Sequence, residues 1–267
     1  MNRPFWLAWL AVLIMVGALT GCRSAEVNPT RYRIARATQV GTNAAASTTY
    51  RYDERGRLSL VTDYASGADT LAGVTPTART TVYYQTDAPA NIDHADRLLT
   101  RPTTDADGTV YGSRRVYSYD RDGRLLTISE YKALAQFTAF KLLQTSYYDY
   151  NSGDLPTTLT IVGFSPSQPR NVYTYTFKNG NAVHIRLAAT STSTITPIVT
   201  ESDVNFDTAP SIYYRFFAVF PGITSFNRNN VVTDNTTHDL DERGLLIRRT
   251  QSSFYSNTVT TYAYETY

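Results

Sequence analysis

Apolar and polar positions alternate with a period of two along most of the chain, and short turn signals punctuate the alternation. In Tyr50-Arg51-Tyr52 and Tyr117-Ser118-Tyr119 both rings fall on one face of an extended strand, because successive strand side chains point to opposite faces. Each pair runs into the same turn, Asp53-Glu54-Arg55-Gly56-Arg57-Leu58 and Asp120-Arg121-Asp122-Gly123-Arg124-Leu125. An Asp at the head of such a turn accepts from backbone N–H groups two residues on, and Gly supplies the left-handed residue that closes a short hairpin loop. Arg-Leu then begins the returning strand. A shorter copy, Tyr148-Asp149-Tyr150-Asn151-Ser152-Gly153-Asp154-Leu155, places its turn at Asn151 and Gly153. Tyr173-Thr174-Tyr175-Thr176-Phe177-Lys178 ends in Asn179-Gly180, the strongest two-residue hairpin signal. His238-Asp239-Leu240-Asp241-Glu242-Arg243-Gly244 keeps the turn, at Asp241 and Gly244, without the tyrosines.

The copies are regularly spaced. Taking the second aromatic or its equivalent as the marker gives positions 52, 119, 150, 175 and 240, and two of the intervals are about twice the others. Their midpoints hold degenerate copies, Val82-Tyr83-Tyr84-Gln85 and Val204-Asn205-Phe206-Asp207, and Tyr262-Ala263-Tyr264 is a terminal copy with no turn after it. A fixed period of this length marks a repeat of one supersecondary unit. The expected fold is all-β: an antiparallel meander of repeated hairpins, about a dozen strands forming a large twisted sheet, open or partly closed. Residues 129–143 contain good helix formers behind Ser129, yet neighbouring units need a strand pair here, so strand is the expectation.

These motifs resemble the YD, or RHS-type, repeat, and more closely resemble lipoproteins of Bacteroidetes-type bacteria that carry a few such units behind a lipid anchor. Phe206-Asp207 followed by Pro210, then Pro221-Gly222, Asn229-Asn230-Val231-Val232 and a Tyr-rich carboxyl terminus extend the resemblance, which covers about residues 48 to 267. It implies a β domain in the cell envelope. The shells that large YD-repeat proteins build around toxin domains are not implied, because no cargo domain accompanies these units.

The amino terminus carries the most specific functional signal. Arg3 gives a weakly positive start, Phe5 to Leu19 is an uncharged apolar run, and Leu19-Thr20-Gly21-Cys22 follows directly. This looks like a bacterial lipobox, with cleavage between Gly21 and Cys22 and acylation of the Cys22 thiol. An uncleaved membrane helix is the competing reading, since Pro4 to Gly21 approaches spanning length. Cys22 is the only cysteine, and it stands where the lipobox demands one. Burial of acyl chains at about 0.8 kcal/mol per methylene would make anchoring by two or three of them effectively permanent. The expected organisation is therefore a signal peptide over 1–21, a lipidated Cys and tether over 22–47 with an edge strand around Thr30 to Thr38, and a β domain over 48–267. Arg23 after Cys22, with no Asp there, points to the outer membrane.

Composition removes several alternatives. Past residue 21 the chain has 24 basic and 23 acidic residues, a balance that asks for neither nucleic acid nor acidic lipid. Acylation of the sole thiol leaves no disulfide framework, so stability must come from apolar burial and strand hydrogen bonding. His94, His184 and His238 lie far apart without metal-type pairing, and Asp120-Arg121-Asp122-Gly123 lacks the further acidic ligands of a calcium loop. No metal, cofactor or catalytic constellation is expected.

All 21 tyrosines lie past residue 21. Rows of Tyr either pack across strands or stack against sugar rings. One cluster is too dense for simple alternation: Tyr213, Tyr214, Arg215, Phe216, Phe217 and Phe220. Aromatics and Arg are enriched in binding hot spots, so this cluster is the candidate contact surface, with a plug over an open end of the sheet as its structural alternative. The expected function is a non-catalytic interaction or structural module of the envelope, held to the membrane through Cys22, with an envelope protein or glycan as partner. A surface glycan-binding lipoprotein of polysaccharide uptake is the alternative.

Overall fold

A computed structural model describes residues 31–42, 44–68, 70–84, 95–104, 110–134, 140–164, 170–190, 196–214, 222–253 and 256–267. Arg33–Glu265 make one compact unit; in the other, Met1–Tyr32 with Thr266–Tyr267, the Tyr267 N–H donates to the Arg31 carbonyl at 3.1 Å. The protein is all-β. Twelve strands follow one another as an antiparallel meander: β1 (Tyr32–Val40), β2 (Ala45–Tyr52), β3 (Leu58–Tyr64), β4 (Ala78–Tyr84), β5 (Ala95–Thr104), β6 (Val110–Tyr119), β7 (Leu125–Leu134), β8 (Lys141–Asp149), β9 (Thr158–Gly163), β10 (Arg170–Lys178), β11 (Asn181–Thr190) and β12 (Ile198–Asp203). The chain then leaves the sheet for a separate hairpin, β13 (Asn205–Pro210) and β14 (Asn229–Val232), with a short 3-10 turn over Ile223–Phe226 between them. It returns as β15 (Thr236–Leu240), β16 (Leu246–Ser252) and β17 (Asn257–Thr266), and β17 lies beside β1. The result is a 15-stranded open sheet with β12 and β15 at its edges.

The tyrosine pairs do what their spacing requires. In each copy the first ring is buried, at Tyr50, Tyr117, Tyr148 and Tyr262, and the second, at Tyr52, Tyr119, Tyr150 and Tyr264, is half-buried on the same face. Just before the second aromatic the register slips by one residue. The slip falls at Arg51/Tyr52, Tyr83/Tyr84, Ser118/Tyr119, Thr176/Phe177 and Asp239/Leu240. At each of these five places the returning strand carries one extra residue, a β-bulge that sharpens the local twist, whereas the Tyr148–Tyr150 copy pairs in continuous register.

Four expectations need correction. The strand expected near residues 30–38 forms as β1, but it lies between β2 and β17 instead of at an edge, and with β2 beginning at Ala45 the β domain starts before residue 48. Tyr175, not Tyr173, is the buried first aromatic of its copy, and the bulge marks Phe177 as the second; three rings in a row at period two had hidden the phase. Phe206-Asp207 belongs to the small sheet, because the Asp207 carboxylate is drawn to Asn230 and His238. Gly153 lacks a positive φ, and residues between Asp149 and Thr158, themselves paired, form an irregular loop over the fully buried Pro156. Of residues 129–143, those at 129–134 and 141–143 are in strands, as the repeat required, and 135–139 lie outside the described residues.

Candidate functional site

Each full copy is held by a short chain of contacts. Asp53 Oδ1 accepts from the N–H groups of Arg55 (3.0 Å) and Arg57 (2.8 Å), and its Oδ2 accepts from Arg57 Nε at 2.9 Å. Asp120 repeats this with the N–H groups of Asp122 (2.9 Å) and Arg124 (2.8 Å) and with Arg124 Nε (2.7 Å). Gly56, Gly123 and Gly244 close their turns at φ of 79, 80 and 78°. The Arg then reaches the next strand: Arg57 lies over the Tyr84 ring at 4.1 Å and Arg124 over Tyr150 at 5.0 Å. The same tyrosines donate back, Tyr84 Oη to the Leu58 carbonyl at 2.8 Å and Tyr150 Oη to that of Leu125 at 2.9 Å. In the last copy Leu245 stands where the Arg would be, Arg243 binds Asp241 instead, and Tyr264 Oη still reaches the Leu246 carbonyl at 2.8 Å.

These contacts account for the chemistry of the turn carboxylates. Burial opposes ionisation of Asp53 and Asp120, but the backbone and side-chain donors of Arg57 and Arg124 outweigh it and hold both carboxyls below the ordinary value. The Leu245 N–H and Arg243 do the same for Asp241. Both oxygens of Asp120 are engaged by its own turn, so the calcium-like spelling is a hairpin. At Asn179-Gly180 both residues have positive φ, 54 and 80°, and Lys178 pairs with Asn181, which is the two-residue turn that Asn-Gly specifies.

Gly21, Cys22, His94, Arg215, Phe216, Phe217 and Phe220 lie outside the described residues. Asn151 lies in the irregular loop with Gly153. Exposed His184 pairs with Asp203 at 2.7 Å. His238, 7% exposed, has its Nδ1 2.7 Å from Asp207 Oδ2, joining the small sheet to β15. Asp207 also accepts from the Asn230 N–H, and Asn227 and Asn229 bind the β10–β11 turn through Ala182 N–H and Asn181. The asparagines thus seat the small sheet. Among the described residues no group of three His, Cys, Asp or Glu could hold a metal.

The inward face of the sheet has two contrasting parts. From β4 to β11 it is closed: Tyr117, Leu125, Ile128, Tyr148, Leu159, Tyr175 and Ala182 form one buried cluster, with Phe226 of the 3-10 turn 5.7 Å from the Tyr148 ring. The Gly222 N–H donates to Tyr148 Oη at 3.3 Å. Burial pushes Tyr148 up to about 12 and Tyr117 and Tyr175 higher still. Around β1, β2, β3, β16 and β17 a second cluster, Ile34, Tyr50, Leu58, Val61, Leu246 and Tyr262, fills only the turn end of the face. Counting back in twos along the same face gives Thr48 and Ala46 from Tyr50, and Thr260 and Thr258 from Tyr262. With Gln39, Arg249 and Gln251 these residues surround a cavity of about 240 Å³. Tyr213 faces this cavity beside Tyr262, so the described start of the aromatic cluster points inward.

No family model and no curated protein sequence matches the chain. Among solved structures it is similar to a porin-like protein from Bacteroides uniformis, with 16% identity and a TM-score of 0.47 over 89% of this chain and 99% of that one. A porin-like protein from Bacteroides vulgatus gives 12% identity and a TM-score of 0.49 over 88% and 99%. The Photorhabdus luminescens Tc holotoxin pore gives 16% identity and a TM-score of 0.33 over 78% of this chain and 11% of that one.

Proposed function

We propose that this chain is a non-catalytic structural or interaction module of the bacterial envelope, anchored to the outer membrane through acyl chains on Cys22. The observation that carries the reading is the use of the repeat residues. Asp53, Arg57 and Tyr84, and equally Asp120, Arg124 and Tyr150, engage one another along the wall, and the first tyrosine of each pair is buried. The repeat therefore makes a rigid sheet. Its tyrosine rows do not form a platform open to sugar rings, which favours the scaffold reading over glycan stacking on the repeat face. The anchor rests on Leu19-Thr20-Gly21-Cys22 after the apolar run. Feeding an alkyne-tagged fatty acid to the expressing bacterium should label the wild type and leave Cys22→Ala unlabelled and unprocessed. Equal labelling of both would overturn the anchor.

A further inference from the structure

The two edges of the sheet are finished differently. On β15 the side chain of His238 is 7% exposed and bound to Asp207 of the small sheet. On β12 all six residues, Ile198 to Asp203, are exposed. The Val204 N–H donates to the Val183 carbonyl at 2.9 Å, and opposed pairs in an antiparallel ladder alternate between bonded and unbonded. Counting back from that pair, Ser202, Thr200 and Ile198 turn their N–H and C=O groups toward β11. Val199, Glu201 and Asp203 turn theirs away from the sheet. Three donors and three acceptors therefore stand along an open edge, a template for one more strand.

Side chains select what can pair there. Ile185 packs against the filled cluster, so its partner Ser202, with Thr200 and Ile198, lies on the inward face, where Ile198 is 66% exposed. Val199, Glu201 and Asp203 lie on the outward face. On the β11 side Arg186 stands 3.4 Å from Glu201 and His184 2.7 Å from Asp203, yet the two acids keep 56% and 86% of their side chains exposed. Among the described residues neither has an ion pair on the free side. A strand laid along β12 thus meets an acidic outward face and an uncharged inward one. A second copy's β12 fits badly: the antiparallel register that engages all three outward-turned residues sets Glu201 against Glu201, and like charges directly opposed repel. We infer that β12 takes up an extended segment of a partner protein in which Lys or Arg alternate with aliphatic residues. Main-chain hydrogen bonds hold the segment, its basic side chains stand opposite Glu201 and Asp203, and its aliphatic ones lie beside Ile198 and Thr200. The inference rests on the reading of the chain as an interaction module; the Cys22 anchor takes no part in it, so loss of peptide binding and loss of fatty-acid labelling are separate outcomes.

The test is fluorescence anisotropy of the full chain in an uncharged detergent with three tagged peptides: Lys-Val-Lys-Val-Lys-Val, Glu-Val-Glu-Val-Glu-Val and the blockwise Lys-Lys-Lys-Val-Val-Val. The alternating basic peptide is expected to bind saturably and at least about tenfold tighter than either of the others. Val199→Pro removes an outward N–H that the β11 pairing does not use, so it should abolish this binding while strand circular dichroism and the melting temperature stay close to the wild type. Glu201→Lys with Asp203→Lys should reverse the preference toward the acidic peptide, giving a second route if the proline variant melts early. No saturable binding of the basic peptide, equal binding of all three, or unchanged binding by a folded Val199→Pro would overturn the proposal. Self-association of the chain that Val199→Pro dissolves would overturn it equally, because it would give the edge to a second copy.

Discussion

The stretch from β4 to β11 and the stretch made by β1, β2, β16 and β17 are built from the same repeat, yet one is filled and the other is hollow. In both, the first tyrosine of each pair turns inward and the turn Asp is held by backbone N–H groups. The filled part has Phe226 and Ile223, brought in from the segment between β13 and β14. The hollow part receives Ile212 and Tyr213 near Tyr50 and Tyr262, and beyond them its face turns to Thr, Gln and Arg. The repeat therefore builds the wall, and residues outside the repeat decide what the wall encloses. A close-packed interior tolerates little change in volume, whereas a polar cavity leaves room for a ligand or water.

High pH should produce the largest effect and act on both parts. Burial raises Tyr117, Tyr148 and Tyr175 in the filled part, and Tyr50 and Tyr262 in the hollow part, above the ordinary phenol value. A raised folded value means that the neutral phenol stabilises the fold below about pH 10 and that this contribution is lost as pH climbs through the folded values. Phenolate absorbance and strand circular dichroism should change together in one transition well above pH 10. Ionisation of these tyrosines near pH 10 without loss of strand signal would show that they are not packed inward.

Phe226→Ala comes next and bears on the filled part alone. Truncating a buried Phe in a close-packed cluster costs about 3–5 kcal/mol, read as a shift of the denaturant midpoint. A loss below about 1 kcal/mol would mean that the 3-10 turn only caps the sheet.

Smaller still is the effect of the turns, where the two parts should agree. Gly56→Val and Gly123→Val place a β-branched residue at φ near 80° and should each cost about 1–3 kcal/mol. A large difference between them would mean that the turns are not equivalent elements of one repeat.

Much of this wall was legible in the chain. Asp-x-x-Gly after an aromatic pair specified both the turn and the face, since carboxylate capping and a left-handed Gly are local chemistry. Asn179-Gly180 was equally direct. The bulges before Tyr52, Tyr84, Tyr119, Phe177 and Leu240 were hidden, because an extra residue on the returning strand leaves no compositional mark. The strand of β1 was expected, but its place inside the sheet was hidden, because its Ala, Arg and Thr residues carry no repeat motif and that place is set by pairing with β17 from the far end of the chain. The cavity left a fainter trace. With Tyr50 and Tyr262 fixing the phase, every second residue away from the turn is Thr, Ala or Gln instead of an aliphatic, but only the sheet order brings β16 and β17 against β1 and β2. Arg249 in particular reads as a surface charge in Leu246-Ile247-Arg248-Arg249 until its strand is placed.

The contrast between a filled and a hollow interior is tested most directly by adding the same atoms to each. Unfolding free energies should be measured for Ala182→Leu, at a fully buried position of the filled cluster, and for Ala37→Leu, on the cavity wall. Overpacking at Ala182 should cost about 1–3 kcal/mol or more, while Ala37→Leu should change stability by less than about 0.5 kcal/mol. Equal costs at the two positions would contradict the account, because they would mean that the wall encloses the same packing throughout.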